Sequence, residues 1–107
     1  MRHARLVVHR LVVEGVEVAV RFATLVVVAR DGTERPDWEV VAESTSEVSF
    51  DMRRHRLVMT AITGADDEGG VELSELAGDA AVVRFVDNTV VFRGDGPLDG
   101  LDEAWLV

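Results

Sequence analysis

The chain contains no cysteine and no lysine, and all eleven of its non-histidine basic side chains are arginine. The lack of thiols excludes disulfides, thiolate metal centres and cysteine nucleophiles. The lack of lysine excludes a Walker A phosphate loop, which needs that side chain beside the phosphates. The glycines at 94, 96 and 100 are therefore read as turn formers, and no βαβ pattern surrounds them to suggest a dinucleotide fingerprint. Histidine is scarce: only His3, His9 and His55 occur, with no HxH or HExxH spacing. No serine sits in a nucleophile-elbow setting. Long apolar runs are also missing. Nothing approaches the ~18 uninterrupted residues of a membrane span. His9, Arg10 and Glu14 interrupt the apolar run near the start, and no small-residue cleavage site follows it. These absences predict a cytoplasmic, soluble protein with no cofactor, no metal site and no recognisable catalytic constellation.

What remains is a chain of 107 residues, 48% of them hydrophobic, with a formal net charge of −9. The length suits one domain, residues 1–107, and the apolar content suits a packed core. The negative charge repels nucleic acid and anionic membranes at long range, so neither is expected as a partner.

Apolar alternation broken by short turn dipeptides dominates the pattern, and helical periodicity is rare. Residues 5–13 predict a strand, turned by Glu14-Gly15. Val16, Val18, Val20 and Phe22 then share one face of a second strand. Residues 25–29 are apolar on both faces, which predicts burial on both sides. A strand running from 16 to 29 is long enough to require a bend or bulge. Asp31-Gly32 signals a tight hairpin, and Pro36 stops pairing. Trp38, Val40 and Ala42 share a core face, 43–47 reads as a polar turn, and Val48, Phe50 and Met52 alternate as a further strand.

After the basic run comes strand 57–63, then an acidic, glycine-bounded loop over 64–70. Residues 71–78 fit either a short strand or a helical turn closed by Gly78. Segments 80–86 and 89–93 flank Asp87-Asn88, a strong hairpin signal. The segment 94–107 reads as an acidic loop with an apolar tail and one helical turn capped by Asp99. The fold class is all-β: a single small antiparallel domain of about seven or eight strands joined mostly by hairpins, as a barrel or a sandwich.

Two clusters invite a chemical reading. Asp95, Asp99, Gly100 and Glu103 fall on positions of a calcium-binding loop, but Pro97 and Leu106 occupy positions that need oxygen ligands. A solvated acidic turn is the better reading. The second cluster is Arg53, Arg54, His55 and Arg56, four basic or potentially basic residues in a row within an acidic chain. Without interleaved aromatics it makes a poor nucleic-acid patch. Arginine forks suit a carboxylate ligand. They suit equally the acids of the same chain, the 95–103 segment above all, or those of a neighbour. Trp105 in the tail 104-AWLV-107 either folds back onto the domain or anchors a partner chain.

The expectation is a non-enzymatic protein-binding or self-assembly module, with a protein partner or homo-oligomer contacting Arg53, Arg54, His55, Arg56 and Trp105. The alternative is a small-molecule or carboxylate binder, or a minor enzyme, that uses a barrel mouth with His55 and Arg54 or Arg56. A third reading is a structural component of a larger assembly.

Overall fold

A computed structural model describes residues 1–107, and its regular structure is almost entirely strand. Seven strands form in chain order: β1 (Arg2–Val13), β2 (Val16–Val18), β3 (Val20–Ala29), β4 (Asp37–Ser44), β5 (Arg54–Ala65), β6 (Val71–Val86) and β7 (Thr89–Gly94). Every pairing is antiparallel, in the order β2-β1-β3-β4-β7-β6-β5. An additional β1–β5 ladder joins the ends of the series, so six strands close into a barrel and β2 extends beside β1. Of the two forms open from sequence, the barrel is the one adopted.

Turn chemistry sets the hairpins. Glu14 and Gly15, both at positive φ (51° and 78°), reverse the chain between β1 and β2. Asp87, at φ 54°, does the same with Asn88 between β6 and β7. The connection at Asp31-Gly32 is wider than a two-residue hairpin. It spans residues 30–36 and is closed by an Arg30–Asp37 ion pair.

The stretch 16–29 bends as its length demands. Its first part pairs with β1 through Val18, it breaks at Ala19, and its register against β4 shifts between Val20 and Phe22. Thr24–Ala29 then return to β1 while still pairing with β4. The expectation that residues 25–29 are buried on both faces is corrected. Leu25 and Val27 are fully enclosed, but Val26 and Val28 are only half-buried, because no second layer covers the outer wall of the barrel.

Residues 71–78 are strand, continuous with 80–86, and β6 runs for sixteen residues. Its early part pairs with β5 and its later part with β7, with a register shift between Val82 and Arg84.

The expected strand through Val48, Phe50 and Met52 does not form. Residues 45–53 must carry the chain from β4 to β5, and β7 and β6 lie between those two strands. The segment therefore crosses a barrel end and has no neighbour to pair with. Phe50 turns inward, edge-on to Phe92 with ring centroids 5.6 Å apart, while Met52 is left exposed.

The strands thus fall into two sequential groups, 1–44 and 54–94, linked by this one crossing segment. Two seams join the groups, β4–β7 and β1–β5.

The other barrel end is closed by the C-terminal segment. Trp38 is almost fully buried and donates Nε1–H to the Gly96 carbonyl at 3.0 Å. Its ring takes the space that side chains would need at Gly78 and Gly94, where a Cβ would stand 2.6 and 2.3 Å from ring atoms. Leu98 and Leu106 are buried beside it. A 3₁₀ turn forms over Glu103–Trp105, and Asp102 rather than Asp99 caps it by accepting from the Ala104 N–H at 2.9 Å. Val107 then exchanges two backbone hydrogen bonds with His3, each 3.0 Å. This contact fills the β1 edge ahead of the point where β5 pairing begins, at Val7. No helix is long and apolar enough to cross a membrane.

Candidate functional site

The basic run opens β5, and strand alternation decides where each side chain goes. Arg54 and Arg56 stand on the outer wall, whereas His55 points inward and is only 4% exposed. The β5–β6 register sets Arg56 opposite Asp79 and Arg54 two residues along the ladder, opposite Ala81. The chain beyond β7 runs beside β6 as well, because the Asp95 N–H donates to the Asp79 carbonyl and Asp99 pairs with Ala77.

Three acids therefore surround two guanidiniums. Arg54 reaches Asp79 at 3.2 Å and Asp95 at 3.7 Å, and it also donates to the Asp95 carbonyl at 3.2 Å. Arg56 reaches Asp79 at 3.6 Å and Asp99 at 3.3 Å. Both arginines are about half-exposed (58% and 48%), so each contact is a surface ion pair worth ~0–1 kcal/mol. Arg53 turns the other way, to Asp51 and Glu14 at 3.4 and 3.5 Å. Among the partners considered for Arg54 and Arg56, acids of the same chain engage both, and the 95–99 segment supplies two of the three.

His55 sits beneath Phe50, whose ring meets it edge-on at 5.9 Å. Its Nε2 lies 2.9 Å from the Asp51 carbonyl, which accepts and so assigns the proton to that nitrogen. Nδ1 faces Glu14 Oε1 at 3.4 Å and makes no hydrogen bond. The same carboxylate oxygen accepts the Arg56 backbone N–H at 3.3 Å. Glu14 thus ties the β1–β2 turn to the start of β5, with His55 as the inner wall of the joint. One surface depression lies against Val26, Val28 and Trp38 on the β3–β4 side, and another against Val41, Val86 and Val91 on the β4–β7–β6 side. Neither includes any residue of the basic run.

Trp105 is half-buried against the core, and the tail around it docks on its own domain through Leu106 and the Val107–His3 pair. The structure therefore brings Arg54, Arg56 and the 95–99 acids together, and Trp105 makes no hydrogen bond or ion pair with them.

A surface that sequence reading did not single out lies on the outer wall of β1, β5 and β6. Cross-strand register places Val7 beside Ile62 and Ile62 beside Leu73, one apolar row across three strands. Val7 is 57% exposed and Leu73 50%. A second row, Val12, Val58 and Ala77, lies four residues along β5, and Arg10, Thr60 and Glu75 separate the two. The available signal was in residues 57–63, where Leu57, Met59 and Ala61 face inward yet Val58 and Ile62 are apolar as well.

The charge of the β5–β6 hairpin beyond Arg56 is one-sided. Residues 57–83 contain six acids and no basic residue. Five of those acids (Asp66, Asp67, Glu68, Glu72 and Glu75) make no ion pair, and Asp79 is the only one held by arginine. Comparison with protein-family models, curated proteins and solved structures finds no match for this chain.

Proposed function

We propose that this protein is a non-enzymatic protein-binding module, and that the outer wall of β1–β5–β6 is the surface that binds. The observation carrying the reading is the row Val7–Ile62–Leu73 with the parallel row Val12–Val58–Ala77. Single exposed apolar residues are ordinary, but contiguous apolar rows rimmed by charge are characteristic of interaction surfaces. Charge here runs between the rows at Arg10 and Glu75 and borders them at Glu17 and at the unpaired acids of the β5–β6 hairpin.

A ligand held at a barrel mouth has less support. Phe50 fills one end, the C-terminal segment covers the other, and Leu11, Leu25, Leu57, Met59, Leu76 and Phe92 fill the interior. Arg54 and Arg56 hold the chain's own acids, so their part is to fasten the 95–99 segment beside the row Val12–Val58–Ala77, while Arg53 holds Asp51 and Glu14.

Pull-down from native lysate tests this reading. The wild type is compared with Val7→Asp/Leu73→Ser and with Arg53→Ala/Arg54→Ala/Arg56→Ala. A specific protein partner lost with the first variant and kept by the second supports the reading. The same recovered set from wild type and the Val7/Leu73 variant refutes it. Light scattering across a range of concentrations covers the case in which the partner is a second copy.

A further inference from the structure

β6 has a strand on both sides only over part of its length. Residues 71–81 pair with β5 and residues 80–86 with β7, so beyond the end of β7 the second edge passes to the C-terminal segment. That segment bonds to β6 at the Asp79 carbonyl and then pairs through Asp99 and Ala77, with bonds of 3.0 and 2.7 Å. Backbone groups of a strand alternate in direction, so those of Glu75, Leu73 and Val71 aim at the same side as those of Ala77. Gly100 lies against the Glu75 carbonyl, and before that point no strand occupies the edge. The side chains along it are exposed: Val71 (57%) and Leu73 (50%), with Glu72 and Glu75 between and beside them.

Resting on the reading of the protein as a protein-binding module, we propose that the edge Val71–Glu75 receives an extended, basic segment of a partner protein as an added antiparallel strand. The N–H and C=O groups of Val71 and Leu73 and the N–H of Glu75 supply main-chain hydrogen bonds, as in other strand-addition complexes, while Gly100 covers the Glu75 carbonyl. Charge selects the occupant. Asp66, Asp67, Glu68, Glu72 and Glu75 flank the edge without any arginine partner, and no basic residue lies between Arg56 and Arg84. A neighbouring strand lies ~4.8 Å away, well inside the ~8 Å over which physiological salt screens charge. A second copy presenting the same edge would bring five acids against five, so edge-to-edge self-pairing is opposed. The row Val7–Ile62–Leu73 then continues sideways onto the added strand, which places an apolar side chain beside Leu73 and a basic one beside Glu72 on the opposite face.

The test uses the full chain and three short synthetic peptides: alternating arginine and valine, alternating glutamate and valine, and the arginine peptide interrupted by prolines. Binding is followed by fluorescence anisotropy, and amide hydrogen exchange locates it. The arginine–valine peptide is expected to bind saturably, to weaken as salt rises, and to protect the Leu73 and Glu75 N–H groups. The glutamate peptide should not bind. The proline-interrupted peptide, which lacks donors, and the Glu72→Arg/Glu75→Arg variant should each weaken binding by roughly tenfold or more.

Equal binding of the proline-interrupted peptide, or protection elsewhere on the surface, overturns the proposal. Concentration-dependent dimerisation that Glu72→Arg/Glu75→Arg enhances overturns it in favour of a second copy. The same charge-reversal variant, added to the lysate pull-down beside Val7→Asp, separates the two levels. A partner kept by Glu72→Arg/Glu75→Arg but lost with Val7→Asp refutes strand addition alone. A recovered set unchanged by both refutes the protein-binding reading as well.

Discussion

If Arg54 and Arg56 fasten the C-terminal segment, removing both makes a specific and conditional prediction. The two guanidiniums make four ion contacts at 3.2–3.7 Å with Asp79, Asp95 and Asp99. Both side chains are roughly half-exposed, so the four contacts together are worth about 1–2 kcal/mol. Their loss also leaves three acids facing one another without a counter-charge, which adds a repulsion of the same order in a water-like dielectric. Arg54→Ala/Arg56→Ala is therefore expected to destabilise the fold by about 2 kcal/mol, a fall in Tm of roughly 8 °C for a domain this small.

Urea unfolding followed by tryptophan fluorescence suits the measurement. The Trp38 indole is bonded to Gly96, within the fastened segment, and so reports its release. The discriminating step is Asp79→Asn. In the wild type it removes the shared partner of both arginines and should destabilise. In the double-alanine background it removes one of three uncompensated acids and should stabilise. Both effects should shrink towards zero in ~1 M salt, where the screening length falls to ~3 Å. The same sign for Asp79→Asn in both backgrounds, or a cost indifferent to salt, would refute the fastening role.

The packing of the two barrel ends yields further expectations. Gly94→Ala sets a methyl against the Trp38 ring and should cost ~1–3 kcal/mol by urea unfolding, a penalty relieved in a Trp38→Leu background. Phe50→Ala opens the opposite end above His55 and should cost about 2–3 kcal/mol, less than a fully enclosed phenylalanine because Phe50 is only partly buried. Leu106→Ala removes a buried side chain next to the tail's pairing with β1. It should cost about 2 kcal/mol and speed hydrogen exchange at the His3 and Val107 amides, a local effect that two-dimensional NMR resolves.

The strand content, most hairpin positions and the inward face of β4 were legible because alternation and turn dipeptides are local signals, whereas Phe22, which alternation grouped with Val18 and Val20, faces out at 49% exposure beyond the register shift at Val20/Phe22. Trp38, Val40 and Ala42 on one face, or Asp87-Asn88 at a reversal, need no knowledge of the rest of the chain. What was misread depended on neighbours. Residues 48–52 alternate as cleanly as a strand, but topology gives them none to pair with. Val26 and Val28 looked buried on both sides because their apolar character carries no information about whether a second layer exists. At the candidate site, an affinity of Arg54 and Arg56 for the 95–103 acids was legible as charge matching, whereas the meeting itself required β6 to bring Asp79 and Ala77 beside both. The row Val7–Ile62–Leu73 joins three distant segments, so only the register could assemble it.

The single crossing at 45–53 has a consequence for assembly of the fold. Each side of it is a run of sequential antiparallel strands whose contacts are local, so each half can organise quickly on its own. The two seams, β4–β7 and β1–β5, are long-range and can close only when the halves meet. A backbone break between Ser46 and Glu47, both exposed, interrupts no strand pairing. The protein is thus expected to work as a split pair: two separately made fragments that find each other and restore the barrel, with Phe50 of the second entering the core they share.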